Sequence, residues 1–103
     1  MNDERQRLDR WLFFARLVKS RTLAQKLVES GAVRINSERT RSPDRRIGPD
    51  DVLTLALGGR ILVLRVAACG TRRGPASEAR ALYHDLSPDR DASGGPYGPT
   101  GTP

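Results

Sequence analysis

The spacing of apolar residues changes period once, at Gly31, and that change decides the class of fold. Before it, Leu8, Trp11, Leu12 and Ala15 recur at helical intervals, with Phe14 and Val18 flanking the same stripe. Phe13 points off the stripe, toward another element or toward solvent. Trp11 belongs to the buried face, because the stripe would otherwise lose its largest member. Asp9 falls in the first turn, where a carboxylate suits the helix dipole. A second helix follows a short basic turn, with Leu23, Ala24, Leu27 and Val28 as its buried face. Thr22 and Gln25 stand at capping-box spacing to start it, and Gly31 suits a left-handed ending. Beyond Gly31 the period is two: Val33 and Ile35 alternate with Arg34 and Asn36, which predicts a short strand buried on one face.

The remaining elements complete an α+β pattern. Residues 37–46 are polar and arginine-rich with Pro43, and read as a loop. Two β-rich runs, 52–57 and 61–68, flank Gly58-Gly59, the turn of a tight hairpin. The second run is almost continuously apolar, which predicts cover on both faces. Gly74-Pro75 opens a short closing helix marked by Ala79, Leu82, Tyr83 and Leu86. The expected order is α-α-β-β-β-α. All apolar residues except Ala92 and Tyr97 lie at or before Leu86, so residues 1–86 form one domain. Residues 87–103 hold four Pro and four Gly in 17 positions and read as a disordered tail.

Charge then narrows the partner. The chain carries 18 Lys+Arg against 12 Asp+Glu, net +6, and 16 of the 18 cations are Arg. Residues 5–46 alone hold twelve basic side chains and four acidic ones. A basic excess concentrated in one half raises the local potential and attracts polyanions, nucleic acid first. The longest unbroken apolar run, residues 11–15, is far short of the ~18 residues of a membrane span. The first residues carry no apolar stretch of a signal peptide, and the helical apolar faces are needed for a core, so no membrane partner is expected. A cytoplasmic protein, expected to be a monomer, fits this pattern.

The cations gather where chemistry favours phosphate. The second helix begins at residues 20–22, where unpaired backbone N–H groups and the positive end of the dipole point outward. Lys19 and Arg21 flank that start, Arg16 lies one turn earlier, Lys26 one turn later, and Ser20 and Thr22 add hydroxyls. Any one of these side chains is as easily a solvated surface residue; four cations and two hydroxyls around one helix start favour an RNA-phosphate site.

At this point the residues carry a resemblance. Arg7-Leu8-Asp9-Arg10-Trp11-Leu12, Ala15-Arg16-Leu17, Lys19 to Leu27 and Gly31-Ala32-Val33-Arg34-Ile35-Asn36 together resemble the S4 RNA-binding domain. That resemblance implies two helices packed on a small, bent antiparallel sheet, with RNA on the helices and the turn after the first strand. It adds Arg7, Arg10, Arg34, Asn36 and Arg39 to the candidates. Arg72-Arg73-Gly74-Pro75-Ala76-Ser77-Glu78-Ala79 and Ala81-Leu82-Tyr83 are similar to the closing segment of the heat shock protein 15 family. This second likeness implies binding to structured RNA of the large ribosomal subunit, with tRNA as a further contact, in rescue of stalled subunits that still hold a nascent chain. Two turns depart from the family pattern. Asn36-Ser37 stands for Asn-Gly and Asp50-Asp51 for Gly-Asp, and both need residues that tolerate left-handed backbone. Longer family members carry a basic C-terminal extension where a Pro/Gly tail stands here.

Catalysis finds no foothold in the sequence. His84 is the single imidazole, on a terminal element with no nucleophile near it, and Cys69 reads as a small buried hydrophobe. Asp50-Asp51 is explained by strand initiation, and Cys69 with His84 cannot make a zinc site. No enzyme, metal or cofactor is expected, and the chain ends before a catalytic domain could begin. Two other binding classes remain open. A DNA-binding helix-turn-helix shares the two-helix outline, but a reading helix would place Glu29 against phosphate; DNA is expected to bind more weakly than RNA. A protein adaptor is the second.

Overall fold

A computed structural model describes residues 4–87. The elements run β1 (Gln6–Arg7), α1 (Leu8–Phe14), α2 (Arg21–Glu29), β2 (Val33–Ile35), β3 (Glu38–Thr40), β4 (Arg46–Ile47), β5 (Val52–Leu57), β6 (Arg60–Val66), α3 (Ala76–Arg80) and β7 (Tyr83–Asp85). Five strands form an antiparallel sheet in the order β3-β2-β5-β6-β7, and β1 pairs separately with β4. The fold is α+β, with one helical layer on one face of a small antiparallel sheet.

Both helical stripes enter the core. Leu8, Trp11, Leu12 and Ala15 of the first stripe, with Ala24 and Val28 of α2, pack on Val33, Ile35, Leu53, Leu55, Leu64 and Val66 from the inner sheet face. Trp11 is fully buried, its indole N–H donates to the carbonyl of Ala68 at 2.9 Å, and Tyr83 meets it edge-on. Leu23, expected in the buried face of α2, is instead 46% exposed. Phe13 docks: the Arg73 guanidinium lies 5.1 Å above its ring centre.

Turn chemistry sets the registers. Gly58 and Gly59 have φ of +54° and +81° between Leu57 and Arg60, a two-residue turn with both positions left-handed. Asn36 and Ser37 do the same between β2 and β3, at +51° and +76°. Asn36 is held there by its own side chain, which donates to Asp51 and accepts from the Val52 amide. Asp50 is left-handed too, at +77°.

The strands that the sequence did not predict share one cause, the demand of sheet edges for backbone partners. The 37–46 stretch, expected to be a loop, contains β3, which pairs with the free edge of β2, and β4, which pairs with β1. The closing helix stops at Arg80, because Tyr83–Asp85 becomes β7 on the edge of β6. Pro75 is its N-cap rather than its first helical residue. The β6 run is covered on one face only, and Ile61 is 49% exposed, since the helices occupy one side of the sheet. Ser87, assigned to the tail, is buried and its hydroxyl oxygen accepts from the Val63 amide at 2.8 Å. The expected disorder of the tail beyond Ser87 lies outside the described residues.

Trp11→Ala should cost about 3–5 kcal/mol, as removal of a fully buried indole does. Denaturant unfolding measures the loss, and wild-type Trp emission should be that of a buried indole.

Candidate nucleic-acid interface

The interface is organised by a buried carboxylate. Asp9 is fully buried at the start of α1, and Arg7 binds it through two hydrogen bonds of 3.1 and 3.0 Å. Gln25 of α2 donates to the same carboxylate at 3.0 Å, and the Arg21 guanidinium approaches it at 3.8 Å. Burial alone would raise the carboxyl pKa. The hydrogen bonds from Arg7 and Gln25 and the Arg7 charge outweigh it and hold Asp9 below the usual carboxylate range. Arg7, for the same reason, is held above its ordinary value by the bond to Asp9. The start of α1 is closed to ligands, because its Leu8 and Asp9 amides donate to the carbonyls of Arg45 and Pro43.

The start of α2 is open. Its N-cap is Ser20, whose hydroxyl accepts from the Leu23 amide at 3.1 Å. The expected Thr22–Gln25 capping box does not form, because Gln25 is drawn to Asp9 and the extended Ser20 is already in place. Lys19, Thr22 and Lys26 are exposed around this start, and Arg10 is exposed on α1. Among the described residues none of these three cations makes an ion pair. Val18, Leu23, Leu27 and Leu57 line an open apolar groove rimmed by Lys19 and Lys26.

The remaining candidates divide. Arg34 and Arg39 face each other across β2 and β3 with exposed side chains, forming a basic pair on the outer sheet face. Asn36 spends its side chain on the turn. Arg7 is committed to Asp9. Arg16 is turned away from the α2 start, its guanidinium donating to the Gly74 carbonyl at 2.7 Å. Its backbone explains the direction: the Leu17 amide bonds Leu12 and the Arg16 amide bonds Phe13, a helix-ending motif that puts Arg16 left-handed at φ +61°.

Sequence reasoning missed cations from the second half. Arg73 reaches α1 and the link after it, lying over Phe13 and donating to the Val18 carbonyl, and its buried Nε has no partner among the described residues, whereas Arg72 pairs with Glu78 of α3. Arg41 packs with Arg39 over Gly31, where an added Cβ would lie 3.0 Å from the Arg41 Nε. The signal available was the Arg-Arg pair before Gly74 and the run of arginines after Asn36. Cys69 is half-buried, and burial followed by the charge of Glu4 pushes its thiol up, away from nucleophilic use. His84 is exposed.

Residues 6–53 match the S4 domain family model. Heat shock protein 15 of Escherichia coli (strain K12) is 39% identical over 81 residues, which cover 79% of this chain and 60% of that protein. The chain thus spans about 60% of the length of that curated relative. The RQC P-site tRNA stabilizing factor of Bacillus subtilis (strain 168) is 33% identical over 60 residues, 58% of this chain and 69% of that protein. The trimeric structure of Vibrio cholerae Heat Shock Protein 15 superposes with a TM-score of 0.75 at 34% identity, covering 80% of this chain and 82% of that one.

Asp9→Asn should destabilise the domain by about 2–4 kcal/mol, since it removes the charge that Arg7 and Gln25 are arranged around. The pH dependence has a definite sign. The folded carboxyl titrates below its unfolded value of about 4, so its contribution is fully present above that pH and is lost as pH falls through the folded value. Urea unfolding at neutral pH and at falling pH should show this acid-limb loss in the wild type and a smaller one in Asp9→Asn.

Proposed function

The chain belongs to the S4-domain proteins of the heat shock protein 15 family, and from that premise we propose that it binds structured RNA of the large ribosomal subunit without catalysis. The observation that carries the reading is the open, Ser20-capped start of α2 with Lys19 and Lys26 exposed and unpaired around it among the described residues. Helix N-terminal amides, hydroxyls and unpaired ammonium groups bind phosphate oxygens, and the guanidinium of Arg21 adds a fork beside them. Such contacts recognise the backbone and shape of folded RNA rather than base edges in a groove.

The outer pair Arg34 and Arg39 extends this positive surface onto the sheet. The likeness to a P-site tRNA stabilizing factor supports tRNA as a second contact, and we extend the reading to a task on large subunits that still hold a nascent chain, as the resemblance to the heat shock protein 15 family implies. The cytoplasm, where ribosomes work, is the matching compartment. Among the described residues no helix is long and apolar enough to cross a membrane.

Crosslinking in cells followed by sequencing should recover large-subunit rRNA and tRNA. Recovery of DNA or of mRNA instead would overturn the reading. In vitro, Lys19→Ala with Arg21→Ala should weaken binding to large subunits by about 1–3 kcal/mol. The slope of log affinity against log salt should also flatten by about one per lost phosphate contact. Thermal unfolding of the double variant checks that the domain is intact.

A further inference from the structure

A pocket lies on the other side of the α1–α2 link, outside the phosphate site described above. Ala15 and Arg16 of the link, Ala76, Ala79 and Arg80 of the α3 region, and Tyr83 at the start of β7 line it. Its volume is about 240 Å³, below the roughly 300–1,000 Å³ of sites that enclose drug-sized ligands. One aromatic ring with an attached anion is therefore the scale of what it takes. Three alanines keep the lining free of bulk. The aromatic ring of Tyr83 is held against Trp11, with centroids 6.2 Å apart and planes at 67°.

The charge of the pocket is one-sided. Arg16 spends a single donor on the Gly74 carbonyl, and a guanidinium has others to give. Arg80 is exposed and makes no ion pair among the described residues. Glu78, the acid on the same helix, is already held by Arg72 at 2.7 Å. Arg16 reaches the pocket from a left-handed backbone at φ +61°. Two guanidinium groups, a small-residue lining and one tyrosine ring make up the chemistry that receives an unstacked nucleotide, its base on the ring or a guanidinium plane and its phosphate on the fork.

We propose, on the premise that RNA is the partner, that this pocket holds one unpaired nucleotide of the bound RNA, next to the helical segment gripped at the start of α2. Arg16 lies in the link that leads directly into the Ser20 cap, so a strand leaving the phosphate site meets the pocket as it passes. Arg80 and Tyr83 then select RNA in which a paired stem gives way to a single strand.

The test uses the full chain and one RNA hairpin, prepared with and without an unpaired extension, in a binding titration at low salt. Arg80→Ala should weaken binding of the extended hairpin roughly fivefold and leave the blunt hairpin unchanged. Ala76→Leu occupies the pocket without changing charge, and should give the same selective loss. Both positions are exposed, so both variants should melt as the wild type does. Equal losses on the two hairpins, loss with Arg80→Ala alone, or no loss with either variant overturns the pocket. Lys19→Ala with Arg21→Ala separates the two levels of the argument: if that variant weakens both hairpins while the pocket variants are silent, only the pocket falls. If that variant is also silent, or the wild type binds neither hairpin, the RNA reading falls too.

Discussion

A carboxylate removed from water is costly unless its charge is matched, and the helical layer of this domain is arranged around one. Asp9 takes two bonds from Arg7 and one from Gln25, with Arg21 close by. The donors come from the segment before α1 and from the first turns of α2, so the relative placement of the two helix starts is fixed by a single acid. That placement leaves the α2 start open, while α1 begins under the carbonyls of residues 43 and 45. The open end and the buried end of the pair are thus distinguished by where the backbone amides find acceptors. Apolar packing alone, which is not directional, would not make that distinction.

What the sequence disclosed of the fold follows the range of each interaction. The stripe of Leu8, Trp11, Leu12 and Ala15, the alternation of Val33 and Ile35, and the Gly58-Gly59 turn are local patterns, and each element stands where its pattern puts it. β3 and β7 were not legible, because nothing in Glu38-Arg39-Thr40 or Tyr83-His84-Asp85 marks a strand. They are strands because β2 and β6 present unpaired edges. Leu82 and Tyr83 keep helical spacing with Ala79, yet the edge of β6 outweighs that local preference. The Asn36-Ser37 turn was legible through the family likeness rather than from Ser37 itself, and both residues are left-handed as that reading required.

For the candidate site the division runs between position and partner. The helix start where Lys19, Ser20, Arg21 and Lys26 gather was legible, because neighbours in sequence are neighbours there. The partner of each side chain was not. Arg7 and Arg16 look identical in the sequence to the cations left free, but one faces a buried acid and the other is swung to Gly74 by a left-handed turn. Arg73 and Arg80 come from a segment with almost balanced charge. Only the folding of that segment back over α1 sets them beside the link.

The acids complete the argument about charge. Asp9 is bound by Arg7 and Gln25, Asp51 accepts from Asn36 and the Gly48 amide, Glu78 holds Arg72, and Asp85 accepts from the Ser87 amide. Three of these carboxylates fix helix starts, a turn and the end of the sheet, and only Glu78 is used in an exposed pair with an arginine. A basic protein that paired its acids with its surface cations would lower its own potential and gain little, since exposed ion pairs contribute weakly in water. Among the described residues, Arg10, Lys19, Lys26, Arg34 and Arg39 are left exposed without an ion pair. Like charges held close together on one surface repel, and a polyanion is the kind of partner that relieves such repulsion.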